Sequence, residues 1–318
     1  MAGVRGQGPG VREALSDVRG TPGAGAGRGD ACVAPTGADH TREAGGRISE
    51  TLARLRAVGS LALIGWQTVG YPELGAAERL VPALLEGGFD LIELGVPFSD
   101  PMADGATIQR ASHVALQHGT RLTHCLAAVR TLRAAGVTAP LLLMSYYNPV
   151  LAMGLERFAG AAAEAGVDGL IVPDVPPEEA DDLLRALEPA GVDPIFLVAP
   201  TSTPERLAAV AARARGFVYC VSLPGVTGAR AALPAGLPAY LARVRAATDL
   251  PLAVGFGVSR PEHVAALRGH ADAAIVASAI IDLMERSPAE EHPARLREFA
   301  RSLREAAGVP PAPRGGVA

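Results

Sequence analysis

From residue 48 onward, short apolar runs alternate with longer Ala-, Leu- and Arg-rich segments in which apolar positions recur at helical spacing. The runs are LALIGW (61–66), DLIELGV (90–96), LLLMSY (141–146), GLIVPD (169–174), PIFLVA (194–199), FVYCVS (217–222), LAVGFG (252–257) and AAIVAS (273–278). Each is near-continuously apolar and bounded by turn residues, as in strands buried on both faces. Between them the spacing predicts helices over 74–86, 123–135, 155–165, 177–190, 204–213, 238–246 and 261–267. Several open on a polar cap followed by a first-turn proline, as in Ser202-Thr203-Pro204 and Ser259-Arg260-Pro261. Buried strands alternating with helices make a parallel sheet covered on its outer face, and eight such units in about 260 residues predict an α/β fold, a (β/α)8 TIM barrel. An open doubly wound sheet would be expected to show G-x-G-x-x-G after its first strand. Here that turn reads Gln67-Thr68-Val69-Gly70-Tyr71-Pro72.

The periodic pattern sets the expected boundaries. Residues 1–47 are rich in Gly, Ala and Arg and broken by GAGAGRGD, so they cannot bury enough apolar surface to offset their ordering entropy. They are expected to form a disordered extension. They contain no continuous apolar stretch of the secretory kind, and Glu13, Asp17, Asp30, Asp39 and Glu43 argue against an organellar transit peptide. Residues 48–308 are the expected barrel, and 309–318 a flexible tail.

Candidate chemistry concentrates at 91–109, LIELGVPFSDPMADGATIQ. Glu93 lies inside an apolar strand, where an unpartnered carboxylate is costly. A buried Glu satisfied by a neighbour is the ordinary explanation for one such residue. A second acid, Asp104, follows on the polar loop, and two acids in different environments are what acid/base chemistry on a single substrate requires. In a barrel the site lies where strands end and loops begin. That rule adds Asp174, ending the fourth run, and Tyr219, in the sixth, although either also fits a structural role: Asp174 as a helix cap or loop anchor, Tyr219 as an inward barrel tyrosine with a satisfied hydroxyl.

The later loops carry patterned glycines: PGVTG (224–228), GFGVS (255–259) and, ending the eighth run, VASA (276–279). Any one of them is explained by a tight turn. Together, with a helix N-terminus after the eighth strand, they predict a phosphate site built from backbone N–H groups and a helix dipole.

ELGVPFSDPMADGATIQ resembles the signature of the tryptophan synthase alpha chain family, E-L-G-[IV]-P-[FY]-S-D-P-x-A-D-G-P-x-I-Q, departing at Ala106 where the family usually has Pro. MSYYNPVL, PDVPPEE, YCVSLPGVTGAR and GFGVS extend the likeness over roughly residues 50–285. The resemblance implies a carbon–carbon lyase of tryptophan biosynthesis that cleaves indole-3-glycerol phosphate into indole and glyceraldehyde 3-phosphate. It puts Glu93 and Asp104 at the two catalytic acid positions and Tyr219 at the nearby tyrosine. It assigns Gly228, Phe256, Gly257, Ala277 and Ser278 to the substrate phosphate, and Trp66, Tyr146 and Thr227 to the indole pocket. Ala277 stands where the family commonly has Gly, and Trp66 where Phe or Tyr is more frequent. A negative φ would leave the Ala277 N–H able to donate. The chain itself would need no cofactor or metal; pyridoxal phosphate would belong to a beta partner in an alpha2-beta2 heterotetramer. Two other readings are a stand-alone lyase releasing free indole and a non-catalytic barrel kept as an allosteric partner, the second of which predicts the loss of an acid. Other phosphate-binding barrels fit the fold but not the ELG…FSDP…ADG pattern.

Composition changes little. The chain has 318 residues, 49% of them hydrophobic, and a formal net charge of −4, which gives no reason to expect nucleic acid or an anionic membrane as partner. All its basic side chains apart from His are Arg. Cys32, Cys125 and Cys220 are scattered, with no metal-type spacing, as in a protein of the reducing cytoplasm. His113 and His118, five apart, fall on different faces of a helix, which weakens a metal reading.

Overall fold

The structure, a computed structural model, describes residues 46–221, 236–255 and 257–308. Most of the expected N-terminal extension, the expected C-terminal tail, and Thr227, Gly228 and Phe256 lie outside the described residues.

The apolar runs form parallel strands: β1 (Ala62–Thr68), β2 (Leu91–Gly95), β3 (Leu141–Met144), β4 (Gly169–Ile171), β5 (Asp193–Ile195), β6 (Leu197–Val198), β7 (Val218–Val221), β8 (Leu252–Gly255) and β9 (Ala273–Val276). Their order is β5-β4-β3-β2-β1-β9-β8-β7-β6. Only Phe196 separates β5 from β6. They are two halves of one stave, the first paired with β4 and the second with β7, so the sheet closes into an eight-stave barrel.

The helices are α1 (Arg47–Ala57), α2 (Ala76–Gly87), α3 (Ala106–Gln117), α4 (Leu122–Ala134), α5 (Tyr147–Met153), α6 (Leu155–Ala165), α7 (Asp181–Ala190), α8 (Pro204–Arg213), α9 (Leu237–Arg245), α10 (Pro261–Leu267), α11 (Ser278–Glu285) and α12 (His292–Ala306). Helices α1, α3, α5, α11 and α12 have no counterpart among those expected, and two expected segments differ in their bounds. The helix expected over 177–190 is a short 3-10 turn, Pro177–Glu179, followed by α7. The eighth run ends as a strand at Val276, and Ser278 opens α11 instead of closing the strand.

Alternate residues of each stave face inward. Ile64, Leu91, Leu142, Ile171, Ile195, Phe217, Ala253 and Ile275 fill the barrel, and Ile48, Leu52 and Leu55 of α1 plug its N-terminal end. The helix therefore begins at Arg47, the last residue assigned to the extension, and Arg47 pairs with Asp168 at 2.7 Å.

The same end is tied by three aspartates. Asp90, Asp168 and Asp272 accept the backbone N–H of Leu63, Leu141 and Leu252 at 3.0, 2.8 and 2.8 Å, and each also binds an arginine: Arg304, Arg133 and Arg245 respectively. Asp90 and Asp168 are buried and Asp272 half-buried, and carboxylates with both backbone and guanidinium partners are satisfied charges. They hold helices to strands at the end opposite the candidate site.

Candidate active site

All staves run the same way, so the loops after β2, β3, β4 and β9 gather at the C-terminal mouth. Glu93 sits mid-strand in β2, in register with Trp66 of β1 and Leu142 of β3. It is fully buried, and among the described residues neither carboxylate oxygen has a hydrogen-bond partner. The three aspartates at the other end are all satisfied, so this orphaned carboxyl is not explained by packing. Burial first, and the charge of Asp104 second, push it up to about 8.

Asp104 comes from the loop between β2 and α3. Its N–H donates to the Pro101 carbonyl at 3.1 Å, and its backbone carbonyl accepts from Gln109 Nε2 at 2.9 Å, so the loop folds back on the start of the helix. Burial raises its carboxyl to about 7, and a hydrogen bond from Tyr146 acts in the opposite direction. Both acids therefore have protonated and ionised forms accessible near neutral pH, as proton transfer requires.

Tyr219 lies on β7, between Leu197 and Ala253 of the flanking strands. Its hydroxyl is pushed well above the usual tyrosine value, by burial first and then by the charges of Glu93 and Asp104. Glu93, Asp104 and Tyr219 thus lie within electrostatic reach of one another. Two glycines make the room. A Cβ on Gly95 would fall 2.2 Å from Cζ2 of Trp66, and one on Gly255 would fall 2.9 Å from Cε1 of Tyr219. Gly95 is not among the site candidates read from the sequence, and Gly255 enters only within the GFGVS loop expected at the phosphate, although a glycine inside a strand is a recognised sign of close approach.

Trp66 faces inward on β1, its Nε1–H donating to Thr68 Oγ1 at 2.9 Å, which satisfies the indole N–H locally. Tyr146 precedes α5. Its ring stacks on Phe98, with centroids 5.1 Å apart, and its hydroxyl accepts the Ala103 N–H at 2.8 Å. Asp174 holds this turn, accepting the N–H of Tyr147 at 3.0 Å, which makes it the anchor of a neighbouring loop.

Gly257 follows β8 with φ +68°, a conformation that favours glycine. Ala277 and Ser278 begin α11, beyond the adjacent strand β9. Ala277 has φ −118°, so an alanine fits there without strain. The first turn of α11 has N–H groups without intrahelical partners, the feature that binds anions at helix N-termini. Among the described residues, no helix is long and apolar enough to cross a membrane.

Known proteins resemble this chain in sequence and in fold. The sequence model of the family described as "Tryptophan synthase alpha chain" matches residues 52–308. The tryptophan synthase alpha chain of Roseiflexus castenholzii is 56% identical over 258 residues, covering 81% of this chain and 99% of the relative. That of Geobacter sulfurreducens is 48% identical over 262 residues, 82% and 99% of the two chains. Among solved structures, a chain of Mycobacterium tuberculosis tryptophan synthase superposes with a TM-score of 0.76 at 43% identity, covering 82% of this chain and 98% of the other. The Legionella pneumophila tryptophan synthase alpha subunit gives 0.75 at 37% identity, covering 83% and 99%. Likeness of this extent, in sequence and in fold, shows that the chain belongs to the tryptophan synthase alpha chain family, lyases acting on indole-3-glycerol phosphate.

Proposed function

We propose that Glu93 and Asp104 divide the chemistry of the cleavage between them. The observation that carries this reading is the pairing of a buried carboxyl that has no partner of its own with a second raised carboxyl at the same mouth. Breaking the bond between indole C3 and the glycerol chain needs a proton on C3, stabilisation of the positive charge this places on the ring nitrogen, and removal of a proton from the adjacent hydroxyl. Glu93 delivers its proton to C3 and then takes the hydroxyl proton as the carbonyl of glyceraldehyde 3-phosphate forms. The electrons of the broken bond return to the indole ring, and the protons balance. Asp104, ionised, accepts the indole N–H. Tyr219 lies within electrostatic reach of both acids.

Gly228, Phe256, Gly257, Ala277 and Ser278 hold the substrate phosphate through backbone N–H groups and the α11 dipole. Trp66, Tyr146 and Thr227 line the indole pocket. The steps assigned to this chain are proton transfers between side chains and substrate and call on no cofactor of its own; pyridoxal phosphate belongs to the beta partner.

The reading includes an alpha2-beta2 assembly in the cytoplasm, in which indole passes to the beta subunit. Apolar side chains left open near the mouth support a partner there: Met102 on the Asp104 loop is 84% exposed and Leu151 on α5 is 47% exposed. Indole release by the purified chain, alone and with a tryptophan synthase beta subunit, tests the assembly. The expected result is slow release that rises sharply on adding the partner. Fast release indifferent to it would mean a lyase that works alone.

A further inference from the structure

We propose that Tyr146 is a positioning residue for Asp104, and that its hydroxyl is the link through which three mouth loops set the distance between the two acids. This goes beyond a place in the pocket wall and rests on the reading of Asp104 as the loop-borne acid. Asp104 rides on a loop whose neighbouring side chains Met102 and Ala103 are exposed, so its place opposite Glu93 is not fixed by loop packing alone. The Tyr146 hydroxyl supplies what is missing. It accepts the N–H of Ala103, the residue before Asp104, at 2.8 Å and donates toward the Asp104 carboxylate. The ring is itself held: it is 3% exposed and stacks on Phe98, from the start of the same loop.

Behind it, the Tyr146–Tyr147 turn is fixed by Asp174, whose two oxygens lie 3.0 and 3.2 Å from the Tyr147 N–H. The contacts run from the loop after β4, through the turn after β3, to the acid on the loop after β2. The Ala103–Tyr146 link is partly buried, where a hydrogen bond is strong and directional, whereas the Asp174–Tyr147 link is exposed and holds the turn less tightly.

The test compares wild type with Tyr146→Phe, which keeps the ring and its stacking and removes only the hydroxyl. Two readouts are taken: the titration of the Asp104 side-chain carboxyl, followed by carbon NMR of the full chain, and kcat and KM for indole release. The Asp104 carboxyl is expected to titrate about one pH unit higher in the variant, since a hydrogen bond to its charged form is lost. At neutral pH kcat should fall about tenfold with KM little changed, the signature of a displaced acid rather than a lost pocket contact. Asp174→Ala, which frees the turn but leaves the hydroxyl, should move both readouts the same way by less. It also serves if the phenylalanine variant folds poorly. An unchanged Asp104 titration in both variants, or a change confined to KM, would overturn the proposal. The NMR arm needs no turnover, so it separates this outcome from failure of the catalytic assignment, which inactivity of wild type itself would reveal.

Discussion

Replacing Glu93 by Gln is expected to lower indole release by at least ~10²-fold, the usual scale for loss of a general acid/base. The amide matches the carboxyl in shape but carries no proton to deliver to C3 and accepts none from the glycerol hydroxyl. Because the site is built around an unsatisfied group, the same change should alter stability in a pH-dependent way. The carboxyl is raised from the ordinary 4.5 to about 8, so the folded state prefers its neutral form. Below about 4.5 the folded and unfolded states are both protonated and Glu93 has no linkage cost. As pH climbs from 4.5 to about 8 the unfolded state ionises while the folded state does not, and stability is lost across that window. Gln does not titrate, so the variant should gain on wild type as pH rises, by an amount on the order of a few kcal/mol above pH ~8. Urea unfolding at acid and alkaline pH measures the difference. Near-normal activity in the variant would remove Glu93 from the mechanism, and a stability difference independent of pH would mean that the carboxyl is ionised in the fold.

Asp104→Asn is the second large effect. Asn keeps a hydrogen-bonding side chain on the loop but loses the negative charge that offsets the cation forming at the indole nitrogen. Cleavage should fall by ~10²-fold or more, on the scale of losing an oriented charge in a site screened from water. The proposed phosphate-binding groups belong to other loops, so binding of glycerol 3-phosphate, read by calorimetry, should be close to that of wild type. Loss of binding with cleavage otherwise intact would make Asp104 a structural residue.

Much of this site was legible because its chemistry is local in the chain. Glu93 and Asp104 lie eleven positions apart on one strand and the loop that follows, so 91–109 displays both acids, and barrel geometry brings the strand end to the mouth. The eight apolar runs were equally plain, since staves covered on both sides must be apolar at nearly every position. Strand and helix ends were less so. Ser278 continues an apolar run in sequence, but helix geometry begins there, and Pro177 opens a 3-10 turn that periodicity cannot tell from the helix behind it.

Contacts between distant segments left no local mark. The Tyr146 hydroxyl meets Ala103 from 43 positions away, and Asp174 meets Tyr147 from 27. The arginine partners of Asp90, Asp168 and Asp272 come from remote helices in the same way. The close approach of Trp66 to Gly95 and of Tyr219 to Gly255 is a further case: the glycines are visible, but what fills the space above them depends on the neighbouring stave.

The central claim is that two carboxyls with raised affinities for protons share the work at one barrel mouth, Asp104 charged and Glu93 protonated at the start of the reaction. The most direct test is the pH dependence of kcat/KM for indole release from indole-3-glycerol phosphate by wild type. The active form should appear as Asp104 ionises through about 7 and disappear as Glu93 loses its proton through about 8, giving a narrow bell around neutral pH. A profile flat from about pH 5 to about pH 9, as expected if neither carboxyl had to hold a particular protonation state in that range, would contradict the account.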